Sequence, residues 1–304
     1  MKEVAVVSGK GGTGKTSITA SLVVLSGNAV AVDGDVDAAN LHLLLQPSVR
    51  ETRDFYGSRK AVIDPEQCTS CGLCAEVCRF DAIYRSRVNP LFCEGCGVCH
   101  HSCPEGAISM REVVSGRWFV SDTPYGPLVH AHLNPAEGNS GKLVTLLRKR
   151  AREVAMQIDA RWIFVDGPPG IGCPVIACLS GADAALLVTE ATATGLRDLQ
   201  RVLAVCRRFG VTAGVCLNRY DLDPAASHDI EDFCRREGLP IFGKIPFDRT
   251  VVDAVVAGLT PVERGPGPAA AALRQLWATI QAEWGFAGQD PSSCRMPGSN
   301  RPML

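Results

Sequence analysis

Six short, continuously apolar runs alternate along this chain with longer helix-like runs, and that alternation constrains the fold more than any other feature. The runs EVAVVS (3–8), AVAVD (29–33), WIFVD (162–166), AALLVTE (184–190), TAGVCLN (212–218) and PIFGKIP (240–246) lack polar alternation. Parallel strands covered on both faces read this way. Helix-like stretches lie near 15–26, 140–158, 194–208, 225–236, 249–257 and 268–284. The pattern predicts an α/β fold with a doubly wound, mostly parallel sheet. A chain of 304 residues, 46% of them hydrophobic, can bury a sizeable core.

The alternation breaks between about residues 46 and 139, and the break holds an internal repeat. CTSCGLCAEVCRFDAI, from Cys68, recurs as CEGCGVCHHSCPEGAI from Cys93, with Ala82 and Ile83 matching Ala107 and Ile108. After it, GRWFVSDTPYGPLVHAHL reads as a hairpin turning at Pro124, Gly126 and Pro127. The stretch beyond Gly285 is rich in Gly, Pro and Ser and reads as a disordered tail.

The formal net charge of −1 gives no electrostatic case for a nucleic-acid partner or an anionic membrane. RKRARE (148–153) is locally basic but sits in a helix-like run, as a solvated face would. MKEVAVVSG reads as a strand and loop rather than a secretory signal. No apolar stretch approaches the roughly 18 residues of a membrane span. The expected location is cytoplasmic, where fourteen cysteines point to metal ligation rather than disulfides.

GKGGTGKT (9–16) lies between a strand and a helix, the context that marks a phosphate-cradling loop. Backbone N–H groups across Gly11, Gly12, Thr13, Gly14, Lys15, Thr16 and Ser17 can surround phosphate oxygens, and the helix N-terminus adds positive potential. Lys15 is expected to reach the β- and γ-phosphates and Thr16 to ligate magnesium. Asp33, Asp35 and Asp37 cluster at the end of the second strand, where carboxylates can approach magnesium and an attacking water. For Asp37 a solvated loop acid is an equal reading. Asp166 ends WIFVD and is the carboxylate expected to hold magnesium, with the turn Gly167 to Gly170 behind it.

Each half of the repeat has the spacing C-x2-C-x2-C-x3-C. Thiolates spaced this way wrap three corners of a cubane, and the fourth serves the other cluster. Two 4Fe–4S clusters are therefore expected. One would be held by Cys68, Cys71, Cys74 and Cys103, the other by Cys93, Cys96, Cys99 and Cys78. Zinc is the competing ligand, although a zinc site uses two C-x2-C pairs and needs no third cysteine beyond them. Arg79 stands after Cys78 where the second motif has Pro104, and its charge would raise the local potential. His100 and His101 read as exposed helix residues. Cys178, Cys206, Cys216 and Cys234 sit in apolar runs and read as core thiols, and Cys294 lies in the tail. EGNSGKLV (137–144) offers Asn139 or Ser140 as a helix cap, with a second phosphate contact as the alternative.

The second lysine of the loop, Lys10, resembles the deviant Walker A motif of the MinD/ParA/nitrogenase-iron-protein class of dimeric ATPases. With DVDAANLHL, DGPPGIGCPVIA and the eight-cysteine insert, the chain resembles MinD-superfamily ATPases carrying a ferredoxin domain, across nearly its whole length to about residue 284. The resemblance implies that Lys10 reaches the partner's nucleotide across a nucleotide-dependent homodimer. It makes Asp35 the water-orienting residue and Asp33 a support of the magnesium shell. Asn218 would read adenine, and Pro246 and Asp248, within IPFD, would cover the base. A turn former is the plainer reading of Asn218, and GTP is the alternative nucleotide. Cys173 stands where the nitrogenase iron protein has a cluster ligand, so a bridging third cluster competes with an interface thiol. The implied domains are a discontinuous ATPase of residues 1–59 and 113–285, an insert of residues 60–112 and a tail of residues 286–304.

Three functions follow from the resemblance. The leading one is an ATP-gated electron carrier that binds ATP or ADP with magnesium and passes electrons through two 4Fe–4S clusters to an unidentified redox partner. The second is a cluster or metal carrier like the Mrp-type assembly ATPases, against which stands the lack of a late C-x2-C pair. The third is a MinD/ParA-like organiser with redox sensing. Its membrane recruitment is disfavoured, because AAAALRQLWATIQAEW reads as a helix packed on the sheet.

Overall fold

The computed structural model describes residues 1–138 and 141–285. The expected cap at Asn139 or Ser140, the tail and Cys294 lie outside the described residues. The chain opens with β1 (Lys2–Ser8), α1 (Lys15–Ser26), β2 (Ala29–Asp33) and α2 (Leu41–Leu45). Two strands follow, β3 (Ser48–Phe55) and β4 (Ser58–Ile63). The cysteine repeat carries α3 (Leu73–Glu76), β5 (Ile83–Tyr84), β6 (Arg87–Val88) and α4 (Val98–Ser102). The chain returns through β7 (Ile108–Val113), β8 (Gly116–Asp122) and β9 (Leu128–Leu133). Strand–helix alternation then resumes as α5 (Gly141–Gln157), β10 (Trp162–Pro169), α6 (Cys173–Leu179), β11 (Ala184–Glu190), α7 (Ala193–Arg208), β12 (Thr212–Asn218) and α8 (Pro224–Arg236). It ends with β13 (Ile241–Ile245), α9 (Arg249–Val256), α10 (Pro261–Arg264) and α11 (Pro268–Trp284).

Nine strands form one sheet in the order β13-β12-β11-β1-β10-β2-β9-β8-β3. From β13 to β9 the neighbours run parallel; β8 and β3 complete the edge antiparallel. The central strands are buried on both faces, which accounts for their unbroken apolar sequences. Val4 and Val6 of β1, with Trp162 and Phe164 of β10, pack against α1, α2, α10 and α11. Ala5 and Val7, with Ile163 and Val165, face α5, α6, α7 and α8 on the other side. The sheet is thus doubly wound, as the alternation predicts. The expected hairpin is present as β8 and β9, and it joins the main sheet through β9 beside β2.

The strands leading into and out of the repeat carry no apolar alternation strong enough to be read in the sequence. β3 is exposed along most of its length and adds ion pairs to its ladder with β8. Arg150 bridges Glu51 at 2.7 Å, and Arg50 bridges Asp122 at 3.0 Å. The β3–β8 ladder continues outward as a separate β4–β7 ladder, with a break at residues 56–57 and 114–115. Ser115 is buried at that break and accepts the N–H groups of Gly57 and Ser58 at 3.2 and 3.0 Å. The repeat therefore hangs from a two-stranded ribbon at the sheet edge.

At the opposite end of β1, Glu3 is buried with Arg148 of α5 and also pairs with Arg152 at 2.6 Å. Arg148 donates further to the carbonyls of Ala177 and Ser180, so one guanidinium ties α5, α6 and β1 together. Removing one partner of such a pair leaves an uncompensated buried charge. Arg148→Ala is expected to cost about 3–5 kcal/mol in urea unfolding, more than Arg152→Ala, whose side chain is 41% exposed against 5% for Arg148.

Candidate functional site

The loop between β1 and α1 is shaped by two glycines with left-handed backbone, Gly12 (φ 78°) and Gly14 (φ 88°). Gly14 also lacks room for a side chain, because a Cβ would lie 2.6 Å from the Asn218 amide nitrogen. That amide donates to the Thr13 carbonyl at 2.8 Å. Asn218, expected to read a base, therefore also fastens β12 to the phosphate loop and keeps one amide hydrogen for another partner. Ser8 donates to the Lys10 carbonyl at 2.6 Å, and Gly170 N–H to the Ser8 carbonyl at 2.9 Å, tying the loop to the turn after β10.

Behind the loop lies a buried charge cluster. Asp33 and Asp166 are register partners on β2 and β10 and are both fully buried. Burial pushes Asp33 well above the ordinary carboxylate range, and the Asp166 charge adds to the rise. Burial raises Asp166 to about 6 against the opposing hydrogen bond from Thr16 and the charge of Lys15. Thr19 donates to Asp166 at 3.3 Å. Asp35 is half-buried and raised by burial, whereas Asp37 is exposed. Lys15 is lowered by burial, with Asp166 and Asp35 opposing the drop.

Asp33 Oδ2 accepts the Leu41 N–H at 3.0 Å, while Asp33 Oδ1 is buried with no hydrogen-bond partner. An orphaned carboxylate oxygen beside a second carboxylate and the Thr16 hydroxyl fits a hard cation. Magnesium needs only one or two protein carboxylates, the rest being water and substrate oxygens. Among the described residues, no three His, Cys, Asp or Glu side chains converge as around a single ion.

Lys10 is held within its own chain. Its ammonium pairs with Glu190, at the end of β11, at 2.5 Å and lies 3.4 Å from the hydroxyls of Thr192 and Thr194. Arg219 reaches the other Glu190 oxygen at 3.3 Å. Glu190 and Thr19 are site residues that motif reading misses. Glu190 was findable, because it ends a central parallel strand at the edge where such sheets bind ligands.

A hollow beside the loop is lined by Gly14, Ser17, Ile18, Asn218, Pro246, Phe247 and Asp248. Asp248 caps α9 by accepting the Thr250 N–H at 2.9 Å and reaches Ala269 N–H at 3.2 Å. The structure thus gives Asp248 a cap role in addition to its place at the hollow.

The eight repeat cysteines line two further hollows. Cys93, Cys96, Cys99 and Cys78 line one, with Ala61, Ile83 and Met110. Cys68, Cys71, Cys74 and Cys103 line the other, with Pro104 and Ile108. The first three cysteines of each half face one hollow, and its fourth cysteine and isoleucine face the other. No disulfide joins any described cysteine. His100 and His101 are exposed on α4. Cys178 and Cys216 are buried core thiols pushed up to about 12 by desolvation, and Cys206 and Cys234 rise to about 11 for the same first reason. Cys173 is exposed at the start of α6, and its backbone carbonyl packs on Gly141.

The raised Asp166 has a stability consequence. The metal-free protein is most stable with that carboxyl protonated, and the contribution is lost as pH rises from about 4 through about 6. Asp166→Asn is expected to stabilise the magnesium-free protein by about 2–3 kcal/mol at pH 7.5, with the gain vanishing below about pH 4. Urea unfolding at the two pH values measures it.

Residues 4–262 match the family described as the CobQ/CobB/MinD/ParA nucleotide binding domain. An uncharacterized protein of Methanocaldococcus jannaschii is 32% identical over 249 residues, covering 81% of this chain and 84% of its own. A chloroplastic septum site-determining protein minD homolog of Arabidopsis thaliana is 28% identical, covering 94% of this chain and 75% of its own. The septum site-determining protein MinD of Pyrococcus horikoshii, solved in complex with Mg-ADP, superposes with a TM-score of 0.58 at 22% identity, over 94% of this chain and 99% of that one. With its parallel sheet, its glycine-lysine loop and a match over most of its length, the chain belongs to the CobQ/CobB/MinD/ParA nucleotide-binding family.

Proposed function

We propose that the protein is a magnesium-dependent ATPase whose nucleotide state is coupled to electron transfer through two 4Fe–4S clusters. The observation that carries this reading is the pair of four-cysteine hollows on a ribbon rooted at the edge of the sheet that bears the phosphate loop. A hollow ringed by four thiols, with apolar walls, fits a cubane, and the crossed membership of the fourth cysteines is the pattern of two-cluster ferredoxins. Cys68, Cys71, Cys74 and Cys103 would hold one cluster and Cys93, Cys96, Cys99 and Cys78 the other, in an insert of residues 60–112 between the ATPase segments 1–59 and 113–285. Bound there, the clusters supply one-electron chemistry directed to a partner protein.

At the nucleotide site, Gly11 to Ser17 cradle the phosphates and Lys15 neutralises the β/γ oxygens. Thr16, Asp33 and Asp166 hold magnesium, which when bound offsets phosphate charge. Asp35 orients water. Asn218, Pro246 and Asp248 line the base hollow. Lys10 leaves Glu190 to reach a partner's nucleotide in a homodimer. Cys173 stays an interface thiol in this reading.

A second reading, a MinD/ParA-like organiser whose insert senses redox state, draws support from the similarity to septum site-determining proteins. Among the described residues no helix is long and apolar enough to cross a membrane.

Anaerobic preparation should yield about eight iron atoms per chain and EPR signals of two reduced cubanes. Redox titration with and without a non-hydrolysable ATP analogue should shift at least one potential. Iron well below that content overturns the cluster reading. Two clusters with nucleotide-independent potentials favour the sensing organiser. Separately, Glu190→Gln frees Lys10 and is expected to raise the ATP-dependent dimer fraction about three- to fivefold by light scattering.

A further inference from the structure

The two cysteine hollows differ in one buried cation. Lys60, near the start of β4, is more than nine-tenths buried. Its ammonium donates to the Cys93 carbonyl at 2.8 Å and pairs with Glu137 at 3.0 Å. The neighbouring Ala61 N–H approaches the Cys93 sulfur at 3.5 Å. Gly95, with φ 65°, lies so close to β4 that a Cβ would collide with the Arg59 carbonyl. The loop Cys93–Cys96 is therefore seated on β4 by a lysine.

The other hollow is reached farther along the ribbon. Past the end of β4, Asp64 N–H bonds the Ala107 carbonyl at 2.8 Å, and Cys68 N–H bonds the Asp64 carbonyl at 3.1 Å. A strand advances about 3.3 Å per residue, so the Cys93 hollow is nearer the sheet and the Cys68 hollow more remote. The remote hollow is lined by Ser86 instead, whose hydroxyl lies 3.3 Å from that of Ser70.

Glu137 also reaches the ladder break. It accepts the Ser58 hydroxyl at 2.8 Å at the ladder break. It belongs to the segment joining β9 to α5, whose first residue, Gly141, leaves only 3.1 Å between a Cβ and the Cys173 carbonyl. Cys173 opens α6 directly after the turn that follows Asp166.

Resting on the reading of the hollows as cluster sites, we propose that Lys60 and Glu137 are the coupling pair between nucleotide and cluster. Lys60 positions the Cys93 loop and raises the one-electron potential of the proximal cluster above that of the remote one. Glu137 offsets the lysine charge by an amount that depends on the arrangement of the turn after β10. An ammonium beside a reduced cluster stabilises the added electron strongly at low dielectric, and a carboxylate on that ammonium weakens the effect. If nucleotide moves Glu137, the potential moves with it, and reduction must in turn bias nucleotide affinity. The step adds one electron from an external one-electron reductant to the cluster. No bond forms or breaks, and Lys60 and Glu137 keep their protonation states.

The test is an anaerobic EPR redox titration of the full chain, with dithionite as reductant and iron content recorded. Wild type, Lys60→Met, Lys60→Arg and Glu137→Gln are compared without nucleotide and with a non-hydrolysable ATP analogue. Lys60→Met is expected to lower the reduction equilibrium of one cluster about tenfold, which is about 59 mV for one electron, and to leave the other unmoved. It should also abolish the nucleotide-dependent shift. Lys60→Arg should restore most of the potential, and Glu137→Gln should raise the same cluster by a similar factor. If Lys60→Met loses iron, Glu137→Gln carries the decision. Full iron content with both potentials unmoved in the variants overturns the inference alone. Wild-type protein without two clusters overturns the cluster reading and the inference together.

Discussion

Two carboxylates forced side by side, Asp33 and Asp166, are the constraint on which the rest of the molecule turns. The parallel register of β2 and β10 places them as neighbours, both buried from solvent between the sheet and its helices. Their shared burial opposes ionisation of both, and the orphaned Asp33 oxygen leaves the arrangement unfinished without a cation. The same groups are mechanical anchors. Asp33 holds the N-terminus of α2 through Leu41, and the Asp166 backbone carbonyl accepts Gly34 N–H at 2.8 Å. A cation bound here would therefore pull on the elements that lead to the ribbon as well as on a phosphate.

The ribbon explains how a sheet of this kind tolerates a large insertion. β3 and β8 are paired at the sheet edge, so the chain leaves and re-enters at adjacent positions, and the parallel core is undisturbed. Closing a longer excursion between paired strands adds little entropy cost. The inserted segment has a small core of its own, formed by Ala61, Ala82, Ile83, Cys93, Cys99 and Ile108. A core of that size does not hold some fifty residues without staples. Disulfides do not supply them among the described cysteines. Coordination in the two hollows would, since ligand binding by such a segment is at the same time its folding energy.

The parts legible in the sequence are those where one physical demand fixes the residue type. Strands buried on both faces must be apolar throughout, and all six such runs are strands of the sheet. The grouping of cysteines by spacing coincides with the grouping around the hollows, because a short loop of fixed spacing has few ways to surround a void. What escaped was held by contacts between distant residues of ordinary type. β3 reads as polar chain because its backbone ladder with β8 is flanked by Glu51, Arg50 and their partners rather than by an apolar face. Glu190 and Glu137 look like any surface glutamate until the fold brings Lys10 to one and Lys60 to the other.

The attachment of the insert at two points matters more than the attachment at either. One lead runs from Asp33 through α2 into β3; the other enters at Glu137, in the segment before α5, whose first residue lies against Cys173 at the start of α6. Both reach the ladder break around Ser115, where Ser58 touches both Ser115 and Glu137 at 3.0 and 2.8 Å. A relative shift of the two leads would then be expressed as shear at the break, where the regular ladder is interrupted and Ser115 bridges the strands. Coulomb attraction falls roughly by half when a separation doubles, so shear of an ångström or two at Lys60 and Glu137 changes the charge felt by the Cys93 hollow. The sulfur positions themselves, set by short loops, need not move. Separating electrostatic change from ligand rearrangement would allow a nucleotide to modulate a cluster without releasing it.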